Sequence, residues 1–489
     1  MQITDNNKFL QTKKIFNIDQ FRTSQEEIIK HVLDGKHCLV LMPTGMGKSL
    51  CYQFPALLLD GLTVVLSPLI SLMKDQVDQL LKLKIDSVYI NSSLSKSERE
   101  RIYKNVASGQ YKIIFVSPER FRKENFLSCI AKRKISLLAV DEAHCVSQWG
   151  HDFRPDYSKI KDFREMLNFP TTIALTATAT PRVQKDIIEK TGIIPDDIRI
   201  YNEGICRPNL FLKVDEVIDE TEKFSKIYNY TKSSHGTKIV YFNLIQSIER
   251  FSSFLDIKKE KYYIYHGRLD PNKKRSVQKK FQDADSCLML ATNAFGMGID
   301  KRDIRMIIHA EIPDSIESYY QEIGRGGRDG KATDCILIYD QSDLAVQIDF
   351  LEWKNPDADF IIKVFTLLKS LGNNVNSYEY EELQEKLVYK NKSDHRLQTV
   401  LNIFERHNIT TGSLDAFNLK LVSSIHDNYK EIITNDYIKM KREVDKARLI
   451  DMLNYVKTAD CRRSLIHNYF DIKAVGCNNC DNCRQAEFN

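Results

Sequence analysis

Short apolar runs, each closed by polar or small residues, recur along the first two thirds of the chain. The first set is Cys38–Met42, Thr63–Ser67, Lys112–Val116, Leu137–Val140 and Thr172–Thr176. Runs this short, apolar throughout and separated by amphipathic stretches, predict buried parallel strands with helices between them. The pattern restarts after Arg207-Pro208 with Lys238–Phe242, Tyr262–Tyr265, Cys287–Ala291, Met306–His309 and Cys335–Tyr339. Two α/β domains in tandem follow, divided near residue 207. Beyond about 345 the spacing turns helical: Phe360, Ile361, Val364, Phe365, Leu368 and Leu371, then Tyr380, Leu383 and Leu387, then Leu397, Val400, Leu401 and Phe404. Gly412 marks a turn before Phe417-x-Leu419-x-Leu421, which alternates like a strand. Three short helices and a strand suggest a winged-helix-like module, and a long helix is predicted over about Ile438–Val456. The expected domains are 1–206, 207–345, 346–440 and 441–489.

The longest apolar runs are about five residues, against about 18 or more for a membrane helix, so no membrane span is expected. The N-terminal Met1–Lys8 stretch has no apolar core, which argues against a secretion signal. Net charge is only +5 over 489 residues. Its distribution adds more, because Lys82 to Lys134 holds 13 Lys/Arg against 5 Asp/Glu. Such a stretch faces a polyanion or is a solvated helical surface. Seven of the 11 cysteines are scattered among apolar residues and read as reduced buried thiols, which suggests a reducing compartment.

Chemistry concentrates in four places. Pro43-Thr44-Gly45-Met46-Gly47-Lys48-Ser49 follows a predicted strand and precedes a helical stretch. Glycines there let backbone N–H groups turn around phosphates, Lys48 supplies charge, and the Ser49 hydroxyl can bind Mg²⁺. The strict form of this loop has glycine where this chain has Met42. Asp141-Glu142-Ala143-His144 ends another strand. One acid can hold the metal while the next activates water, which is what hydrolysis requires. Gln321–Gly330 carries Arg325 and Arg328 among glycines, a cationic loop suited to an arginine finger or simply a basic turn. Finally, Cys461, Cys477, Cys480 and Cys483 can close a tetrahedral zinc site, although an iron–sulfur cluster uses the same ligands.

These residues resemble the RecQ family of superfamily 2 DNA helicases, over about 15–350 and again over about 440–484. Phe21-Arg22-Thr-Ser-Gln25 resembles the family's adenine-recognition motif, with Gln25 on the base. Met42–Gln53, Ser67–Gln76, Asp141–His144, Thr176–Ala179, Ala291–Asp300 and Gln321–Gly330 resemble motifs I, Ia, II, III, V and VI. Ala143–Pro155 resembles the aromatic-rich loop of the family, in which Gln148, Trp149, His151, Phe153 and Arg154 would meet DNA. Trp149 and Phe153 suit stacking on unpaired bases, and Arg154 adds a cation. The resemblance implies two tandem RecA-like domains. It further implies ATP bound by Arg22, Gln25, Thr44, Gly45, Gly47, Lys48 and Ser49, and Mg²⁺ held by Ser49 and Asp141. Glu142 would activate water, Arg325 and Arg328 would stabilise transferred charge, and the four cysteines would bind Zn²⁺ with Cys461 on a helix. The implied activity is 3′→5′ translocation on single-stranded DNA and unwinding of tailed duplex, in DNA repair and recombination. The expected compartment is the cytoplasm of a bacterium or the nucleus of a eukaryote. A single-stranded-DNA-binding protein is the one protein partner the resemblance offers.

Three departures shape the reading. Tyr265-His-Gly-Arg-Leu269 replaces the family's Tyr-His-Ala-Gly-Leu. About 85 residues, roughly 355–440, form an insert that would bind DNA through Lys390, Lys392, His395 and Arg396 or serve only for packing. Only six residues follow Cys483, so the expectation is a short form without the family's C-terminal winged-helix and HRDC domains, or a chain cut there. The alternatives are a DNA-dependent ATPase or annealing factor with weak unwinding, a DNA-binding assembly module, and a preference for RNA.

Overall fold

The computed structural model describes residues 6–68, 70–91, 94–147, 154–296, 301–387, 394–407, 409–414, 417–422, 435–473 and 476–486. The chain packs as two compact units, residues 1–339 with 455–489 and residues 340–454.

The first unit holds two all-parallel sheets. One contains β1 (His37–Leu41), β2 (Leu62–Leu66), β3 (Ser87–Ile90), β4 (Ile113–Val116), β5 (Ile135–Val140), β6 (Thr171–Thr176) and β7 (Ile198–Asn202), in the order β3-β4-β2-β5-β6-β1-β7. The other contains β8 (Leu210–Glu216), β9 (Thr237–Tyr241), β10 (Tyr263–Tyr265), β11 (Leu288–Ala291), β12 (Ile304–His309) and β13 (Thr333–Tyr339), in the order β10-β11-β9-β12-β13-β8. These are the two tandem α/β domains expected, and the sheets part between Asn202 and Leu210. Central strands are apolar on both faces because helices cover both, and β2 and β4 are buried at every position. Each fully buried Val, Leu or Ile there contributes about 1.5–3 kcal/mol relative to exposure.

In the first sheet two loops of interest sit at the carboxyl ends of strands, where adjacent connections part and leave a crevice. In the second the arginine loop lies between helix Ile316–Ile323 and the start of β13, its Gly327 N–H donating to the Ile304 carbonyl at the beginning of β12. The phosphate loop follows β1. Met42, where the strict loop has glycine, continues that strand: its N–H donates to the Thr176 carbonyl and its side chain is buried in the core. The acids Asp141 and Glu142 follow β5, next but one to β1.

In the second unit, helices Ala358–Leu371, Tyr380–Lys386 and Arg396–Arg406 enclose a core of Phe360, Val364, Leu368, Leu383, Val400 and Phe404. The antiparallel pair β14 (Thr410–Thr411) and β15 (Lys420–Leu421) follows, so the region is helical with one short strand pair among its described residues. The helix expected over about 438–456 runs from Asn435 to Lys457. The expected divide at 440/441 falls inside it, and packing groups 441–454 with the helical unit. Arg396, a candidate DNA contact, is turned into the module: its guanidinium pairs with Asp394 at 2.6 Å and lies 4.2 Å from the Phe360 ring centre. Lys390 and Lys392 lie outside the described residues.

Among the described residues no helix is long and apolar enough to cross a membrane.

Candidate nucleotide and zinc sites

The phosphate loop is organised by what its carbonyls touch. Gly45 and Gly47 have φ of +87° and +85°, a region that side-chain-bearing residues avoid. Arg22 donates to the Gly45 carbonyl at 3.1 Å, and Gln25 Nε2 donates to the Met46 and Gly47 carbonyls at 3.0 and 3.1 Å. Arg207 Nη1 donates to the Thr44 carbonyl at 3.1 Å. Four consecutive carbonyls are therefore held by side chains, which orients this stretch as an anion nest requires. The segment carrying Arg22 and Gln25 is fastened by Phe21, whose ring packs edge-on to Phe54 at 5.4 Å. Gln25, expected on adenine, is buried, and its Oε1 also accepts from the Arg22 N–H at 2.9 Å. A base contact through its donors requires releasing one of the loop carbonyls.

Lys48 Nζ is buried and has no hydrogen-bond partner. A buried ammonium that makes no hydrogen bond is costly, so this atom fits a ligand anion. Asp141 is 6% exposed, and its Oδ1 accepts from the Glu142 N–H at 3.0 Å. Burial first, then neighbouring Glu142, pushes the Asp141 carboxyl up to about 7, while Lys48 pulls it down. A carboxylate raised this way is relieved by a cation. Glu142 itself has φ of +48°, a left-handed conformation uncommon outside glycine.

His144 Nδ1 lies 2.9 Å from Thr176 Oγ1 and 3.3 Å from Glu142 Oε2. The Thr176 hydroxyl donates to the Thr178 carbonyl, so Nδ1 carries the proton. Gln321 Nε2 reaches Thr178 Oγ1 at 3.5 Å, connecting this network to the second sheet's domain.

The arginine loop closes the other side. A Cβ on Gly45 would meet Arg328 Cγ at 3.2 Å, so the two loops are in contact. Arg325 Nη1 donates to the Gly296 carbonyl. Gly327, at φ +51°, leaves no room for a side chain, since a Cβ would lie 2.4 Å from Asn209 Nδ2. A cavity of about 430 Å³ is lined by Arg22, Thr44, Gly45, Gly47, Lys48 and Ser49 on one side, Asp141, Glu142 and His144 at its floor, and Gln321, Arg325 and Arg328 opposite.

The sulfurs of Cys461, Cys477, Cys480 and Cys483 all lie within 4.8 Å of one another. The Cys461–Cys477 and Cys477–Cys483 separations are 3.3 and 3.8 Å. Zinc with four thiolates at about 2.3 Å has sulfur–sulfur edges of about 3.8 Å, so the cluster matches that ion in donor type and size. Cys461 caps helix Arg462–Tyr469 from the residue before it and does not lie within it. The module is built onto β8: Cys480 bridges Leu212, Asp481 accepts from the Val214 N–H at 2.9 Å, and Arg462 Nε donates to Asp481 at 2.5 Å.

Three family patterns match the chain: DEAD/DEAH box helicase over 22–187, Helicase conserved C-terminal domain over 221–330, and RecQ zinc-binding over 426–484. The probable ATP-dependent DNA helicase RecS of Bacillus subtilis is 36% identical over 358 residues, covering 73% of this chain and 71% of RecS. The chain belongs to the RecQ family. The ATP-dependent DNA helicase RecQ of Pasteurella multocida is 41% identical over 331 residues, 68% of this chain. The chain spans about half the length of the RecQ relatives it matches, 52% in the Pasteurella case. Among solved structures, the DUF1998 helicase MrfA bound to DNA and AMPPNP matches with a TM-score of 0.59 at 17% identity, over 86% of this chain and 62% of MrfA, which is a likeness of fold. The RecQ zinc-binding match and the four convergent sulfurs together identify the cysteine cluster as a zinc site.

All the nucleotide-site residues named from sequence except Gln25 line one cavity. Of the DNA-contact candidates, Gln148, Trp149, His151 and Phe153 lie outside the described residues. Arg154 is half-buried, and its Nη1 donates to the Pro68 carbonyl at 2.6 Å. Sequence reasoning passed over His144 and Gln321 as site residues, although both fall inside matched motifs. It also passed over Arg207, which no motif contained.

Proposed function

We propose that this chain is an ATP-dependent DNA helicase that hydrolyses ATP between its two parallel-sheet domains. Each cycle moves it 3′→5′ along single-stranded DNA and separates tailed duplex, in DNA repair and recombination. The observation that carries this reading is the single cavity in which the phosphate loop, the paired acids and the arginine loop meet. Lys48 has a buried ammonium awaiting an anion and would bind the terminal phosphates. Ser49 and Asp141 would hold Mg²⁺, which when bound neutralises charge on phosphate oxygens. Glu142 would take the proton of the attacking water, with His144 beside it. Arg325 and Arg328 would face the charge that develops on the transferred group. Gln25 would sense the base by exchanging a loop carbonyl for it. Gln148, Trp149, His151, Phe153 and Arg154 would contact DNA, with Arg154 first leaving the Pro68 carbonyl. Zinc would be structural, because four protein ligands leave no open position.

The test is Lys48→Ala, assayed for ATPase with and without single-stranded DNA and for strand displacement on 3′- and 5′-tailed duplexes. The parent protein is expected to displace only from the 3′ tail, and the variant to do neither reaction. Full ATPase in the variant overturns the reading.

A further inference from the structure

The segment between β7 and β8 is the only covalent link between the two sheets, and one of its side chains connects both nucleotide loops. Arg207 is 7% exposed. Its Nη1 donates to the Thr44 carbonyl of the phosphate loop and the Gly324 carbonyl of the arginine loop, both at 3.1 Å. Its Nη2 donates to the Gly326 and Gly327 carbonyls at 2.5 and 3.0 Å, and its Nε donates to Asn209 at 3.4 Å. All five guanidinium hydrogens are engaged, and every partner is an uncharged oxygen. Only a planar fork with fixed donor directions can hold two loops this way, and a lysine ammonium cannot.

Arg207 is in turn held from behind. Arg463, in the helix that Cys461 caps, donates from Nη1 to the Arg207 carbonyl at 2.6 Å and from Nη2 to the Leu210 carbonyl at 2.8 Å. Arg463 is also buried. Hydrogen bonds from Arg463 to the Arg207 backbone, and from the Arg207 side chain onward, therefore connect the helix that follows Cys461 to both sides of the cavity.

We propose that Arg207 is a positioning residue that sets the arginine loop against the phosphate loop, and that Arg463 makes this setting depend on the zinc module. The inference rests on the ATP-hydrolysis reading above and deepens it. Arg207 does not line the cavity and acts only through the backbone it holds. Nucleotide binding, which the phosphate loop largely provides, should persist without it, while the alignment needed for turnover should not. Misplacement by about 1 Å from a remote change lowers turnover about 100-fold.

The experiment uses the full chain with zinc bound. Arg207→Lys is expected to lower kcat of DNA-stimulated ATPase about 10- to 100-fold, while the affinity for a fluorescent ATP analogue changes less than about threefold. Arg463→Gln, with zinc content unchanged by metal analysis, is expected to lower kcat less, and the double variant to be no worse than Arg207→Lys alone. Unchanged kcat in a folded Arg207→Lys protein overturns the proposal. If that variant does not fold, unchanged kcat in Arg463→Gln overturns it instead. Effects that multiply in the double variant overturn the relay to the zinc module. Lys48→Ala assayed alongside separates the two claims: if it too keeps full ATPase, the hydrolysis reading itself has failed.

Discussion

The phosphate loop and the cysteine cluster are both small-ligand sites at the ends of secondary structure, yet they are held in opposite ways. Around the phosphate loop the protein supplies the organising bonds: the carbonyls of Thr44 to Gly47 accept from Arg207, Arg22 and Gln25. Around the cluster the four sulfurs mainly face one another, and the protein adds only weak N–H···S contacts, such as Asn479 N–H to Cys477 Sγ at 3.4 Å. The first site is arranged before its ligand arrives. The second needs its ion to hold it together, because thiol contacts are weak and the segment Gly476–Cys483 has few apolar groups to bury. Ligand removal should therefore disturb structure at one site and only chemistry at the other.

The largest effect expected from that contrast is on zinc. Binding of a structural zinc carries on the order of 10 kcal/mol, so chelation should raise hydrogen exchange over residues 461–484 and at the β8 amides of Leu212 and Val214. Helix Leu50–Leu58, beside the phosphate loop, should keep its protection. Equal exchange in both regions after chelation would erase the distinction.

Next comes Lys48→Ala. Turnover should fall about 10²–10³-fold, while the melting temperature stays the same or rises, because the variant removes a buried ammonium that makes no hydrogen bond. A clear drop in melting temperature would mean that the phosphate site, too, is a stability element.

A smaller effect is expected for Gly47→Ala. The new Cβ meets Gln25 Nε2 at 2.7 Å in a backbone conformation of φ +85°. The left-handed conformation alone costs about 1–2 kcal/mol, so nucleotide affinity should fall about tenfold. Wild-type affinity in this variant would show that the carbonyl contacts do not shape the loop.

The smallest is a pH effect. The folded, unliganded protein keeps a proton on Asp141 up to about pH 7, whereas the unfolded chain releases it in the ordinary carboxylate range. Stability without ligand therefore falls as pH rises through that window. Mg²⁺ must expel the proton, so its affinity should be about tenfold weaker at pH 6 than at pH 8. Asp141→Asn should remove that dependence, and a flat profile in the parent protein would contradict the raised carboxyl.

Ten of the thirteen strands in the two parallel sheets were legible as apolar runs, and the three that were not share a cause. Strands β3 and β7 are the edges of the first sheet, and β8 is an edge of the second. An edge strand is covered less, so it keeps charged and polar residues. Arg199 and Asn202 interrupt β7, and Lys213, Asp215 and Glu216 interrupt β8. Continuous apolarity finds central strands most readily, and of the edge strands it found only β10, whose Tyr263-Ile264-Tyr265 is apolar throughout. In the site, Lys48, Ser49, Asp141, Glu142, Arg325 and Arg328 were visible because phosphate, metal and charge chemistry restrict residue type at fixed spacing. The lock on Arg396 was invisible because Asp394 looks like any other surface acid.

The sequence by itself determined that two parallel sheets form and picked out residues that line one cavity, since local periodicity and motif spacing are properties of the chain alone. Only the tertiary structure decided that Gln25 grips the phosphate loop, that Arg207 joins that loop to the arginine loop, and that Arg463 reaches it from the zinc helix. Arg207 and Arg463 are 256 residues apart. A guanidinium's role is set by which oxygens surround it, and backbone carbonyls, which every residue has, leave no mark in the order of side chains.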